Sequence, residues 1–308
     1  MSTQASFPSL SVVVNNYNYG QFLGEALDSA LSQLVAGDEL VVVDDGSTDN
    51  SMQILEHYAA HHHIKFIRQA NQGQMRAVRT GIDNARGDVI VLLDSDDCFL
   101  PGYLRRLREI YRDNPQVSFV FCRPEVGGPP SSSLEATRAN LRRMELPHGL
   151  IGKTRWAVLL FHEYIGAPTS GNSLWRSLGR QIITLPDTLN QTRHVSPRLV
   201  RLLGISETEA NQAGLSADGV ILRVSSILGA VKYCDSRTGF LYRIHGGNKY
   251  ASGSRLGHSY LRHLRRRMFI AIVREHFDLC AQPTAVELKA EITNRRFGLR
   301  LRRRLHIR

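Results

Sequence analysis

From residue 8 to about Cys122 the chain alternates short apolar runs with amphipathic stretches. The runs Leu10 to Val14, Glu39 to Val43, Ile64 to Arg68, Val89 to Leu93 and Val117 to Cys122 read as strands, and helical spacing fills the intervals. Phe22, Leu23, Ala26, Leu27, Ala30, Leu31 and Leu34 recur along one helical face. Ser47-Thr48-Asp49 supplies capping side chains for a second helix carrying Met52, Ile54, Leu55 and Tyr58. Two more helices are predicted from about Gln74 to Ala85 and from Gly102 to Asn114. Strands alternating with helices predict an α/β fold on a mostly parallel sheet flanked by helices.

Gly127 to Ser133 contains only Gly, Pro and Ser and reads as a loop, after which the alternation loosens. Helical segments are predicted around Leu134 to Met144, Trp156 to Tyr164 and Asp218 to Leu228, with a Gly/Pro/Ser stretch from Gly166 to Asn172 and an apolar segment ending at Tyr242. The Arg-rich end, in which Met268, Phe269, Ile270, Ile272 and Val273 stand among arginines, reads as an amphipathic helical appendage. The expected division is one domain over residues 1–250, in halves of about 8–125 and 126–250, followed by a basic helical region over 251–308.

Composition changes this picture in two places. The net charge of +11 suggests a nucleic-acid binder until it is mapped. Fourteen Lys or Arg against four Asp or Glu lie from Arg255 to Arg308, so the body is near neutrality and nucleic acid is not expected as a partner. No stretch approaches the roughly 20 apolar residues of a membrane span, and no basic-then-apolar leader opens the chain, so a cytoplasmic protein is expected. Cys98, Cys122, Cys234 and Cys280 stand singly, without the close pairs of a zinc or redox site.

Ligands of such sheets bind beyond the carboxyl ends of the strands, and three polar clusters lie there: Asn15-Asn16-Tyr17-Asn18, Asp44-Asp45-Gly46-Ser47 and Asp94-Ser95-Asp96-Asp97. The last presents three carboxylates within four residues at the tip of a buried strand. Like charges so close repel one another, and a divalent cation with oxygen ligands relieves them. Mg²⁺ or Mn²⁺ suits such a pair of acids, since both keep positions open for substrate phosphates.

Together these clusters resemble the family 2 glycosyltransferases of GT-A fold over most of residues 8–250. The likeness is carried by Val14 to Gly20, Val42 to Asp49, Asn71-Gln72-Gly73, Ala85-Arg86-Gly87-Asp88 and Leu93 to Asp97 in the first, donor-binding half. Ala167 to Asn172, Ala217-Asp218-Gly219 and Tyr242 to Asn248 carry it in the second, acceptor-binding half. The resemblance implies an inverting enzyme that moves a sugar from a nucleoside-diphosphate sugar, with a UDP-sugar expected, to a hydroxyl of a glycan or lipid-linked acceptor in cell-surface polysaccharide or glycoconjugate synthesis. It implies donor contacts at Asn16, Tyr17, Asp45, Asp94 and Ser95, with Asp45 accepting from a uracil-like N–H and Tyr17 giving an aromatic face. It implies a Mn or Mg ion at Asp96 and Asp94 with His245 reaching it, Asp97 on the acceptor side, and Asp218 as catalytic base. Inversion needs such a base, because the acceptor hydroxyl loses a proton as it attacks.

Two departures stand out. Ala217-Asp218 replaces the family's frequent Glu-Asp pair, which leaves the base to Asp218 alone, and Asp187 to Ser216 is longer than expected and could serve as an acceptor lid. A dinucleotide oxidoreductase would need a Gly-x-Gly-x-x-Gly turn where Asn15 to Gly20 stands. The reading from another class is an inactive glycosyltransferase-like protein that binds an anionic surface. Arginines alternating with apolar residues at the basic end can lie on anionic lipid, so peripheral contact with the inner face of the membrane is a further expectation.

Overall fold

The computed structural model describes residues 7–62, 64–143, 146–161, 163–186, 216–245, 269–279, 284 and 286. The first half is β1 (Leu10–Asn16), α1 (Gly20–Leu31), β2 (Glu39–Asp44), α2 (Ser51–His61), β3 (Ile64–Arg68), α3 (Gln74–Asn84) and β4 (Val89–Asp94). A two-residue strand, β5 (Cys98–Phe99), and α4 (Tyr103–Asp113) follow. The second half holds β6 (Phe119–Gly127), α5 (Ser132–Arg143), β7 (Gly149–Gly152), α6 (Arg155–Phe161), β8 (Asn172–Trp175), α7 (Arg176–Ile182), α8 (Ala217–Ile227) and β9 (Lys232–Arg243).

These strands form one sheet in the order β3-β2-β1-β4-β8-β6-β9-β5, with β7 paired to β9. The expected parallel arrangement holds from β3 to β4. Beyond β4 the sheet is mixed, since β8 runs antiparallel to both neighbours while β6 and β9 are parallel. The central strands are buried on both faces, and alternate residues feed two cores. Val12, Val14, Val42 and Leu93 meet Leu23 and Leu27 of α1 and Leu104 and Leu107 of α4. Val13, Val41, Ile90 and Leu92 meet Val78 and Ile82 of α3 and Val220, Ile221 and Val224 of α8. Each side chain so buried contributes roughly 1.5–3 kcal/mol. Packing on the second face is close: a Cβ on Gly81 of α3 would lie 2.2 Å from Val13 Cγ1.

The chain passes from β1 outward to β3 and then returns to lay β4 on the other side of β1, so the connections diverge between β1 and β4. Such a switch point opens a crevice at the strand ends. Asn15 pairs in register with Asp94 there, at the mouth of the crevice.

Two predicted features shift. α2 starts at Ser51: of the proposed Ser47-Thr48-Asp49 cap, Asp49 Oδ1 accepts the Ser51 N–H at 3.0 Å, whereas the Ser47 hydroxyl donates to Asp44 and accepts the Asn18 N–H. The apolar side of the basic end is not free: Phe269, Ile270 and Val273, within helical residues 269–276, are buried in the same core as α8. The proposed lid, Asn248 and most of the terminal arginines lie outside the described residues. No helix among the described residues is long and apolar enough to cross a membrane.

Candidate active site

β4 ends on Asp94 at the carboxyl end of the sheet, and the turn into β5 brings Asp96 and Asp97 beside it. One carboxylate oxygen from each lies within 4.8 Å of the others. Gln74 Nε2 donates to Asp94 Oδ1 at 2.8 Å. The Ser170 hydroxyl donates to Asp97 Oδ2 at 2.5 Å and accepts the Asp94 N–H at 3.0 Å, while the Arg243 N–H donates to Asp97 Oδ1 at 3.0 Å. Burial, and then the charge of Asp96, pushes the Asp94 carboxyl up to about 7. Burial followed by the charges of Asp96 and Asp94 drives Asp97 well above the ordinary carboxylate range. Three acids held together at this cost form a donor set suited to a hard divalent cation.

His245, two residues beyond β9, places Nε2 3.0 Å from Asp96 Oδ2. Its ring packs edge-on to Tyr19, centroids 5.2 Å apart, and against Phe22 at 4.9 Å. Arg243 Nε donates to the Asp96 carbonyl at 3.1 Å, and its guanidinium continues to Glu25 Oε2 at 2.6 Å. The C-terminal histidine motif therefore meets the acid cluster directly.

Asp218 stands in the first turn of α8 and is 7% exposed. Its Oδ1 accepts the Gly219 N–H at 2.8 Å and its Oδ2 accepts the Tyr164 hydroxyl at 2.5 Å. It lies close enough to the triad for its charge to help raise Asp94. Tyr242 lies among these acids. Burial first, then the charges of Asp97, Asp94, Asp96 and Asp218, hold its phenol protonated far above the usual range.

The donor side is arranged differently from the expectation that each named side chain points at ligand. Asp45 accepts from Gln69 Nε2 at 2.7 Å and from the Gln72 and Gly73 N–H groups at 3.0 and 2.7 Å, so its carboxylate shapes the loop before α3. Asn16 Nδ2 donates to Asp44 Oδ1 at 2.9 Å and to Ser47 Oγ at 3.1 Å, while its Oδ1 has no partner. Ser95 is buried with its Oγ likewise unpartnered, and Tyr17 is 43% exposed. Unpartnered buried oxygens at strand tips are the atoms a ligand would satisfy. Sequence reasoning missed Ser170, Gln74, Tyr164 and the role of Tyr242. Ser170 and Tyr242 fall inside the motif segments, but nothing in a Gly/Pro/Ser turn distinguishes a serine that grips a carboxylate.

A mixed α/β sheet with an acid cluster at its switch point and an acid-bearing helix facing it defines the GT-A class. Residues 11–166 match the profile of Glycosyl transferase family 2. An uncharacterised glycosyltransferase of Nostoc sp. PCC 7120 is 30% identical over 247 residues, which cover 80% of this chain and 67% of that protein. Chondroitin synthase of Escherichia coli is 34% identical over 121 residues, 39% of this chain and 18% of that protein. The chain belongs to glycosyl transferase family 2 and is a glycosyltransferase. Its fold is that of Staphylococcus aureus TarS 1–349, with a TM-score of 0.58 at 18% identity over 96% of this chain and 71% of that one. The Pyrobaculum calidifontis mannosyltransferase PcManGT, in complex with GDP-Man and Mn²⁺, aligns with a TM-score of 0.52 at 15% identity over 96% of this chain and 80% of that one.

Proposed function

We propose that the protein transfers a sugar, with inversion, from a nucleoside-diphosphate sugar to a hydroxyl of a glycan or lipid-linked acceptor in cell-surface polysaccharide or glycoconjugate synthesis. The observation that carries this reading is the facing of two acidic centres with different surroundings. The triad is crowded, with Asp94 and Asp97 raised; Asp218 is held by two hydrogen bonds at a helix start. The first suits charge neutralisation and the second proton transfer.

Asp94 and Asp96, with His245 beside Asp96, would hold a Mn or Mg ion, and the crowding of carboxylates fits that group. When bound, the cation stabilises negative charge on the departing diphosphate as a Lewis acid. Asp218 takes the proton of the acceptor hydroxyl while the oxygen forms its bond to the anomeric carbon. The bond from that carbon to the diphosphate oxygen breaks with its electron pair, and the nucleoside diphosphate leaves on the opposite face. Asp97 and Tyr242 border the acceptor side, whereas Asn16, Tyr17, Asp45 and Ser95 border the nucleoside. TarS 1–349 has been solved with UDP-GlcNAc and PcManGT with GDP-Man and Mn²⁺, which supports a donor of this class and a divalent cation. A UDP-sugar is the expected donor. The lipid-linked class of acceptor rests on the basic end, which would meet the inner face of the membrane by charge, since Phe269, Ile270 and Val273 are spent on the core.

The test is a thermal-shift panel of UDP-glucose, UDP-galactose, UDP-N-acetylglucosamine and GDP-mannose, with and without Mn²⁺, followed by NMR of the product formed from the stabilising donor. Stabilisation that needs Mn²⁺ and a product of inverted configuration are expected. Metal-independent binding or a retained configuration contradicts the reading.

A further inference from the structure

The segment over residues 163–172 touches both acidic centres. At one end the Tyr164 hydroxyl reaches Asp218, and at the other the Ser170 hydroxyl joins Asp97 to the Asp94 N–H. Asn172, fully buried, braces the turn between them. Its Nδ2 donates to the Ala167 and Pro168 carbonyls at 2.8 Å each, and its Oδ1 accepts the Ala167 N–H at 3.2 Å.

Tyr164 has one phenolic proton, and its hydroxyl reaches Asp218 Oδ2 at 2.5 Å and the Ala167 carbonyl at 2.9 Å. A hydrogen bond to an ionised oxygen is about twice as strong as one to a neutral carbonyl, and Asn172 already satisfies the Ala167 carbonyl. The proton therefore belongs to the contact with Asp218.

The backbone carrying Tyr164 is clamped to α8 one turn beyond Asp218. A Cβ on Gly166 would lie 2.1 Å from Leu222 Cδ2, so only glycine allows the loop to approach this closely. The buried Lys232 amine donates to the Ile165 carbonyl at 2.8 Å and to the Leu222 carbonyl at 3.0 Å, bridging loop and helix. Its Nζ lies over the Phe119 ring, 4.7 Å from the centroid. Tyr164 thus approaches Asp218 from a support fixed to the same helix.

From this geometry we infer that Tyr164 is a positioning residue for the catalytic base, its hydroxyl holding Asp218 Oδ2 while the Gly219 N–H holds Oδ1, so that a remaining lone pair of the carboxylate meets the acceptor hydroxyl. The inference rests on Asp218 being the base. The terminal torsion of an aspartate is broad and roughly two-fold, so one hydrogen bond to its own helix leaves the carboxylate free to turn. A second bond, from the Tyr164 hydroxyl on a loop clamped to that helix, removes that freedom, and misplacement of a reacting group by about 1 Å can cost on the order of 10²-fold in rate.

The variant Tyr164→Phe keeps the ring and removes only the hydroxyl. Nucleoside diphosphate release is followed with UDP-N-acetylglucosamine, UDP-glucose or GDP-mannose, whichever the full-length protein turns over fastest, with Mn²⁺ present and water as acceptor. A fall in kcat of about 10-fold is expected. The donor KM should stay unchanged, the melting temperature should drop by only a few degrees, and the same substitution should cost no further kcat in an Asp218→Asn background. A normal kcat for Tyr164→Phe beside an inactive Asp218→Asn overturns the inference and leaves the base in place. Equal losses in both backgrounds also overturn it, because the hydroxyl would then act elsewhere. Full activity of Asp218→Asn overturns the base reading, and the inference with it.

Discussion

In the donor half, β1, β2 and β4 are buried nearly end to end, and the acidic tip of β4 is placed by strand register against β1. In the acceptor half the strands run from four to twelve residues and in both directions, and Tyr164 and Ser170 stand on turns between them. There the geometry depends on single polar side chains: Ser170, Asn172, Tyr164 and Lys232. The difference is one of redundancy. A strand among parallel neighbours keeps its place through many backbone bonds, whereas a turn held by an amide or a phenol loses its place with one substitution.

The largest effect should come from the regular half. Asp96→Ala removes one proposed ligand of the cation, and turnover should fall on the order of 10³-fold, with the response to added Mn²⁺ abolished. Its melting temperature should not drop, since losing one of three crowded carboxylates relieves repulsion. Undiminished turnover in chelator would remove the metal from the mechanism. Next, Asp218→Asn keeps the shape but cannot accept a proton, so transfer should fall roughly 10²-fold while donor affinity measured by calorimetry survives. Parallel losses of affinity and rate would instead make Asp218 a binding residue.

A paired substitution tests the contrast itself. Gly81→Ala places a methyl against Val13 and should cost about 1–3 kcal/mol of stability with kcat unaltered at a temperature where the protein stays folded. Asn172→Ala should cost a similar ~1–3 kcal/mol but also lower kcat and weaken Mn²⁺ binding, because the turn it braces carries Ser170. If both variants behave alike in kinetics, the two halves do not differ as described.

The smallest effect is on pH dependence. Asp94 rises from 3.8 to about 7, so between those values the folded state holds a proton that the unfolded state has released. Stability of the metal-free protein therefore falls as pH rises through this window. In chelator the melting temperature should be a few degrees higher at pH 6 than at pH 8. Since Mn²⁺ competes with that proton, its stabilisation should be greater at pH 8 than at pH 6. A metal effect independent of pH would separate Asp94 from the ion.

The same contrast decides what could be read from the sequence. β1, β2 and β4 are continuous apolar runs ending in polar residues, so strand and site are written together, and the triad with Asp218 and His245 could be named without coordinates. β5, β7 and β8 are too short or too polar to stand out, and they exist because β4, β6 and β9 offer partners. β9 is interrupted in sequence by Asp235-Ser236-Arg237, where the buried acid is matched by Arg106 and Arg237. Tyr164 and Ser170 act across 54 and 73 residues of chain, and no local pattern encodes such partners. Asp45 and Asn16 show the converse. Their positions follow from the motif, but their hydrogen bonds go first to neighbouring loops.

Phe269, Ile270 and Val273 bear on how the chain can be shortened. They share a core with Val220, Ile221 and Val224 of the helix that carries Asp218. Cutting the gene before this segment would strip apolar cover from the floor beneath the base and expose the remainder to aggregation. Loss of activity in such a deletion would then report a collapsed support rather than a lost anchor. Exchanging arginines for glutamines within the intact polypeptide separates the two, because it alters charge while leaving that floor covered.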